Sequence, residues 1–131
     1  MSFGLVIQQA IFTQLDNDAT LTAVAAVYDN APQDVAMPYV TIGEDVLSEW
    51  DTDTELGMVA SVTIHTWSRE RGRKQTKTLQ GYVYDALDRV TLSAAGYKFI
   101  SIDHQSTNSI LDTDGLTRHG IQEFKIIIER V

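Results

Sequence analysis

The chain has 131 residues, 44% hydrophobic and 21% charged, with 18 acidic residues against 10 basic ones and a formal net charge of −8. That length favours one domain over residues 1–131, because a division would leave both halves short of core. The lack of cysteine excludes disulfides, thiolate catalysis and cysteine-based zinc or iron–sulfur sites, and the acidic balance is the reverse of the basic surface that a nucleic-acid binder presents.

Residues 4–16 read as an amphipathic helix. Ile7, Ile11 and Leu15 recur every four residues, Leu5 and Phe12 widen the stripe, and Ser2 is placed to cap it. The opening MSFGLVIQQAIF has no basic start and carries Gln8 and Gln9 within its apolar stretch, so it is a poor signal peptide. A second short helix is expected over 19–27, with Leu21, Val24 and Ala25 inward and Asn17 or Asp18 as its cap. DNAPQDVAMP then reads as a loop.

A strand follows from Tyr39 to about Val46, with Val40 and Ile42 on one face and Tyr39 and Thr41 on the other. A second runs from Met58 to Trp67, where Met58, Ala60, Val62 and Ile64 alternate with Val59, Ser61, Thr63, His65 and Trp67. The pair reads as a hairpin with a long acidic tip. SRERGRKQTK turns into a helix over about 72–90, marked by Leu79, Val83, Ala86, Leu87 and Val90. Gly81 inside that helix either weakens it or permits close approach to the sheet. YKFISID is a third strand, HQSTNSILDTDGL reads as a loop, and a closing strand runs from about Thr117 to Val131.

The order is α-α-β-β-α-β-β, without the strand–helix alternation of a doubly wound parallel sheet. The expected class is α+β: a mainly antiparallel four-stranded sheet with helices packed on one face. Val59 and Ile127 fall on the faces opposite their strands' main apolar sets, and a neighbouring subunit is one means of covering them. No run approaches the roughly 20 apolar residues of a membrane span.

No pattern announces chemistry. His65, His104 and His119 form no H-E-x-x-H arrangement and no i, i+4 pair on a helix. Asp103, His104 and His119 flank one loop, but partly exposed strand-end histidines are the simpler reading of all three. No G-x-S-x-G elbow, G-x-G-x-x-G or G-x-x-x-x-G-K-[ST] loop occurs, and D-T-D-T-E lacks the spacing of a calcium loop. No catalytic, cofactor-binding or metal-ligating residue is expected. A small enzyme or ligand-binding module built around Trp67, His65 and Tyr82 is the contrasting alternative.

Two charge runs stand out. Residues 44–55 hold Glu44, Asp45, Glu49, Asp51, Asp53 and Glu55 with no base, and residues 69–77 hold Arg69, Arg71, Arg73, Lys74 and Lys77, five of the ten bases. Each is a solvated segment in the bland reading. In the functional reading, the acidic run of one copy meets the basic run of the next, a head-to-tail contact that closes into a ring when the rotation permits.

Four passages in order resemble the small tail-completion, or tail-terminator, proteins of long-tailed bacteriophages and gene transfer agents. They are LDNDATL after the first helix, VYDNAP…MPYVTIG leading into the first strand, VTIHTWSRERGRKQTKTLQGYVYDAL running from strand through turn to helix, and DTDGLTRHGIQEFKIIIE opening the last strand. The likeness covers nearly the whole chain and rests on order, length and texture. It implies a non-enzymatic, siphovirus-like virion assembly protein that forms a ring, typically a hexamer, on the end of the tail tube. Such a ring ends tube growth and serves head–tail joining. The implied partners are further copies of the chain, the major tail tube protein and the head-completion (stopper) protein, with DNA passing through unbound and no cofactor. The implied location is the tail–neck junction of the virion, reached from the host cytoplasm during assembly; another neck or head–tail connector component is the alternative.

Within that reading, Arg69, Arg71, Arg73, Lys74 and Lys77 are the candidate subunit interface. Glu49, Asp51, Asp53 and Glu55 are a candidate lumen wall or a second interface. The loop around Ser106–Asp114 is expected to be mobile until a partner orders it.

Overall fold

The computed structural model describes residues 2–52 and 55–131. Helix α1 spans Phe3–Asp16. Ser2 Oγ accepts the Leu5 N–H at 3.2 Å, and Phe3, Val6, Ile7, Ile11 and Leu15 form its buried stripe. Helix α2 is a single turn, Ala19–Thr22, capped by Asp18, whose Oδ1 accepts the Leu21 N–H at 2.9 Å. The helix expected over 19–27 therefore ends early. Residues 23–25 leave it in a turn, and Ala26 and Val27 enter strand β1, Ala26–Tyr28, with Val27 buried.

Strand β2 runs Tyr39–Glu49 and β3 runs Gly57–Ser68. Helix α3, Lys74–Leu87, is shorter than the stripe to Val90 suggested, and Arg89 leaves it at φ 57°. Strand β4 is Ser93–Ala94, β5 is Tyr97–Leu111 and β6 is Arg118–Arg130. The segment expected as a mobile loop is mostly strand, because β5 continues to Leu111 and pairs with β6 as far as Arg118.

The sheet has six strands in the order β1-β2-β3-β6-β5-β4. Strand β1 pairs in parallel with β2, and the other pairs are antiparallel. This corrects the expected mainly antiparallel four-stranded sheet and its order α-α-β-β-α-β-β: the sheet is larger and mixed, and two strands were not foreseen. Both are too short to show a period of two, with three residues in β1 and two in β4.

The core lies on one side of the sheet. Ala60, Val62 and Ile64 of β3, Phe124, Ile126 and Ile128 of β6, and Val40 and Ile42 of β2 are buried against the stripes of α1 and α3. At one end of this layer the contacts are polar. Gln122 is 1% exposed, and its Nε2 donates to the Gln80 carbonyl at 3.0 Å, while Gln80 Nε2 donates to the Asn108 carbonyl at 2.9 Å. These bonds tie α3 to β5 and β6.

Candidate functional site

The face of the sheet away from the helices carries the more unusual chemistry. Tyr39, Trp67 and His119 occupy one cross-strand row, since Tyr39 opposes Trp67 and Trp67 opposes His119. Trp67 stacks on His119 with ring centroids 3.9 Å apart and planes 10° from parallel. Tyr39 lies 6.3 Å from Trp67, also stacked, and Tyr28 meets Tyr39 edge-on at 5.8 Å. The Trp67 indole N–H donates to Thr41 Oγ1 at 3.2 Å.

The next row holds His65, opposite Thr41. His65 Nε2 is 3.2 Å from both carboxylate oxygens of Glu44, and His65 Nδ1 is 2.6 Å from His119 Nε2. An ionised carboxylate only accepts. The consistent assignment is therefore that His65 Nε2–H donates to Glu44 and His119 Nε2–H donates to His65 Nδ1. A hydrogen bond from its own backbone N–H, followed by the one from His65, holds Glu44 below the usual carboxylate range. Burial, followed by repulsion from His65, pushes His119 down, with Asp112 and Glu44 opposing. Gly43 makes room for this arrangement, because a Cβ there would collide with the His65 ring.

This row is not a metal centre of the kind weighed from Asp103, His104 and His119. His104 faces the core side, edge-on to Phe124 and Tyr84, whereas His119 lies on the other face. Among the described residues no group of three or more His, Cys, Asp or Glu is arranged to hold a metal ion. The alternative centred on Trp67, His65 and Tyr82 also divides: Tyr82 sits on α3 against the core, on the far side of the sheet from the other two. A shallow hollow between α1 and residues 91–95 is lined by Val6, Ala10, Leu92 and uncharged polar side chains, with no ionisable group to serve as acid or base.

The two charge runs occupy opposite ends of β3. The acidic run follows β2 into the β2–β3 turn, where Glu49 and Asp51 are exposed and Glu55 is half-buried; Asp53 lies outside the described residues. Asp51 Oδ1 accepts the Gly57 N–H at 3.2 Å, which fixes the turn against the start of β3. The basic run follows Ser68, and Arg69, Arg71, Arg73, Lys74 and Lys77 are all exposed. Arg69 is partly committed within the chain: its Nε donates to Thr117 Oγ1 at 3.2 Å and its Nη2 lies 3.9 Å from Asp114 Oδ2. The other four have solvent before them. The twelve residues of β3 hold the far part of the acidic run, Glu49, Asp51 and Glu55, roughly 35 Å from the basic run at about 3.3 Å per residue, too far to neutralise it within one chain.

Residues 9–129 match the protein family described as tail completion protein gp17. The chain belongs to that family. It is 26% identical over 123 residues to the tail completion protein gp17 of Bacillus phage SPP1, covering 93% of this chain and 91% of the phage protein. In fold it is similar to a chain in the virion of a native gene transfer agent particle, with a TM-score of 0.85, 21% identity, and 98% and 99% of the two chains covered. It is also similar to the solved gp17 protein of bacteriophage SPP1, with a TM-score of 0.62, 24% identity, and coverage of 93% and 88%.

Tail completion proteins serve a structural role in the virion, and the matched span takes in both charge runs and the Tyr39–Trp67–His119 row. The sequence pattern singled out the charge runs by composition. It placed Tyr39, His65 and Trp67 on the second faces of their strands. It did not bring His119 to Trp67 or Glu44 to His65, because those meetings depend on the pairing register of β3 with β6 and on the break in register between Ile42 and Asp45.

Proposed function

We propose that this protein is a non-enzymatic ring-forming cap at the tail–neck junction of a phage or gene transfer agent particle. Copies of the chain, in a hexameric ring, close the end of the tail tube, halt its growth, and present a surface to the head-completion (stopper) protein. The major tail tube protein is the partner on the other side. Assembly takes place in the host cytoplasm before the part joins the virion. Family membership supports the tail role.

The observation that carries the ring is the separation of opposite charges at the two ends of β3. One lateral surface is formed around Arg71, Arg73, Lys74 and Lys77, and its complement around Glu49, Asp51 and Glu55, so each copy meets two neighbours by two different surfaces. Arg69 steadies the basic surface through Thr117 and Asp114. Acidic side chains left over from that contact line the passage, where they repel phosphates and let DNA move without being gripped.

The test is a charge reversal, Arg71→Glu with Arg73→Glu, read by light scattering behind a sizing column at low and high salt. A ring built on these contacts loses its oligomer at low salt, and a matching reversal of Glu49 and Asp51 to lysine in the same chain restores it. Unchanged assembly in the first variant at low salt refutes the lateral contact. A ring with the acidic turn on its outer rim removes the lumen role.

A further inference from the structure

The two short strands protect only part of the sheet's edges. Strand β1 covers β2 at Tyr39, Val40 and Thr41, and β4 covers β5 at Tyr97 and Lys98. Because β2 and β5 run in opposite directions across the sheet, the uncovered stretches lie at diagonally opposite corners. On β2 the stretch is Asp45–Glu49, regular after the break in register between Ile42 and Asp45. On β5 side groups continue the cover for a while. The Arg89 N–H donates to the Ile102 carbonyl at 2.8 Å, and the His104 N–H donates to Asp88 Oδ1 at 2.8 Å. Past the break in register between His104 and Ser106 the edge is open: the Asp112 N–H donates inward to the Thr117 carbonyl at 2.8 Å, so Ile110 also bonds inward, opposite His119, and the two-residue alternation turns the N–H and carbonyl of Ser109 and Leu111 outward.

The exposed apolar side chains collect at these corners. Val46, Trp50 and Leu56 flank the β2 edge, with Val46 67% exposed, and Ile110, Leu111 and Leu116 flank the β5 edge. The charges differ. Glu44, Asp45 and Glu49 border the β2 stretch. At the other corner Lys77 on α3 and Arg118, opposite Leu111, stand with Asp112 and with Asp114, which Arg69 approaches, so that corner carries cations where the β2 stretch carries none. Val46 and Ile110 both project from the helix-free face, so they share one face of any continued sheet.

We propose that the open β5 edge at Asn108–Leu111 of one copy pairs with the open β2 edge at Asp45–Glu49 of the next, antiparallel, so that the six-stranded sheet continues from subunit to subunit. The occupant is a second copy because this chain supplies both a wholly acidic edge and one that carries cations, each beside exposed apolar residues. Single-sign charge on an edge strand ordinarily blocks pairing. Here the β2 edge rejects its own kind and accepts the cations of the β5 corner, which makes the contact head-to-tail. The pairing rests on the ring reading above and gives it a backbone contact in addition to the salt-sensitive one.

The chain has no cysteine, so introduced thiols report without background. In Val46→Cys with Ile110→Cys, oxidation or a short bis-maleimide whose reach covers a one-step slip in register gives a covalent ladder reaching the ring size. Either single variant gives no more than traces of dimer. Leu111→Pro removes an outward N–H, leaves the bonds to β6 in place, and lowers the ring population at least tenfold with little change in monomer melting. An oligomer that forms normally, yet gives no ladder and tolerates Leu111→Pro, overturns the strand pairing and leaves the ring standing. Strong dimer bands from one single variant replace it with a symmetric contact. A chain that stays monomeric even on purified tail tubes refutes the ring reading and this pairing with it.

Discussion

Trp67 and His119, opposite each other on β3 and β6, stack nearly parallel with centroids 3.9 Å apart on the face of the sheet away from the helices. The stack holds one side of His119 against an indole while its Nε2 bonds to His65. A second proton on His119 has to enter a half-buried site beside another histidine, which is why its pKa falls below the ordinary 6.5. The unfolded chain then binds more protons than the folded one in the window just below 6.5, so this contribution to stability is whole above 6.5 and is lost as pH drops toward the lowered value. Glu44 acts in a separate window. Its lowered pKa gives a contribution that is present above 4.5 and lost only as pH falls through the folded value. Thermal melting across pH is therefore expected to weaken below 6.5 in the natural chain. His119→Gln should flatten that part of the curve and leave the acid limb.

Gly57 begins β3 where the acidic turn closes. A Cβ there would strike the Trp50 carbonyl and ring and lie 3.2 Å from the Ile128 carbonyl. Two of those contacts are backbone, and the Gly57 carbonyl also accepts the Trp50 N–H at 2.9 Å. Gly57→Ala is expected to cost about 1–3 kcal/mol in denaturant unfolding, as overpacking at a rigid site does. Trp50 fluorescence should shift in the folded state as the turn is displaced.

Gly81 behaves in the opposite way. It lies inside α3, exposed, with nothing within 4 Å of an added Cβ. The sequence left two readings, close approach to the sheet or a plain weakness in the helix, and the structure supports the second. Gly81→Ala should stabilise the monomer by about 0.5–1 kcal/mol. Equilibrium unfolding checks the sign.

Asp114 organises the turn between β5 and β6. Its Oδ1 accepts the Leu116 and Thr117 N–H groups, each at 2.8 Å, and its Oδ2 accepts the Thr117 hydroxyl at 2.7 Å. The Thr117 hydroxyl and these two backbone bonds lower its pKa to about 2. Asp114→Ala should raise the hydrogen-exchange rates of the Leu116 and Thr117 amides and also free Arg69, which Asp114 and Thr117 together hold. Protection of those two amides unchanged in the variant would show that the turn is set by β5 and β6 alone.

Much of the fold was legible where one period ran long enough to count. The stripe Ile7–Ile11–Leu15 gave α1, and the alternation from Met58 to Trp67 gave β3 and both its faces. Sequence pattern failed where burial was slight. Residues 104–109 look like a loop because β5 there is polar on both faces and mostly exposed, held by pairing with β6 instead of by a core. Strand β1 was absorbed into a neighbouring helix because Leu21, Val24 and Ala25 happen to fit a helical spacing before the chain extends. At the candidate surfaces the charge runs were visible in composition, but their placement at the two ends of one strand was not. That placement follows from the hairpin closing at Trp50 and Gly57 and from α3 beginning directly after the basic turn.

The central claim is that this chain ends a tail tube. Purified tail tube protein, allowed to elongate with and without the protein, is imaged by negative-stain electron microscopy over time. The account predicts tubes that stop lengthening and carry an added ring at one end, with Arg71→Glu plus Arg73→Glu impaired in both respects. Tubes that keep growing at the same rate with bare ends, in the presence of well-folded protein, contradict it.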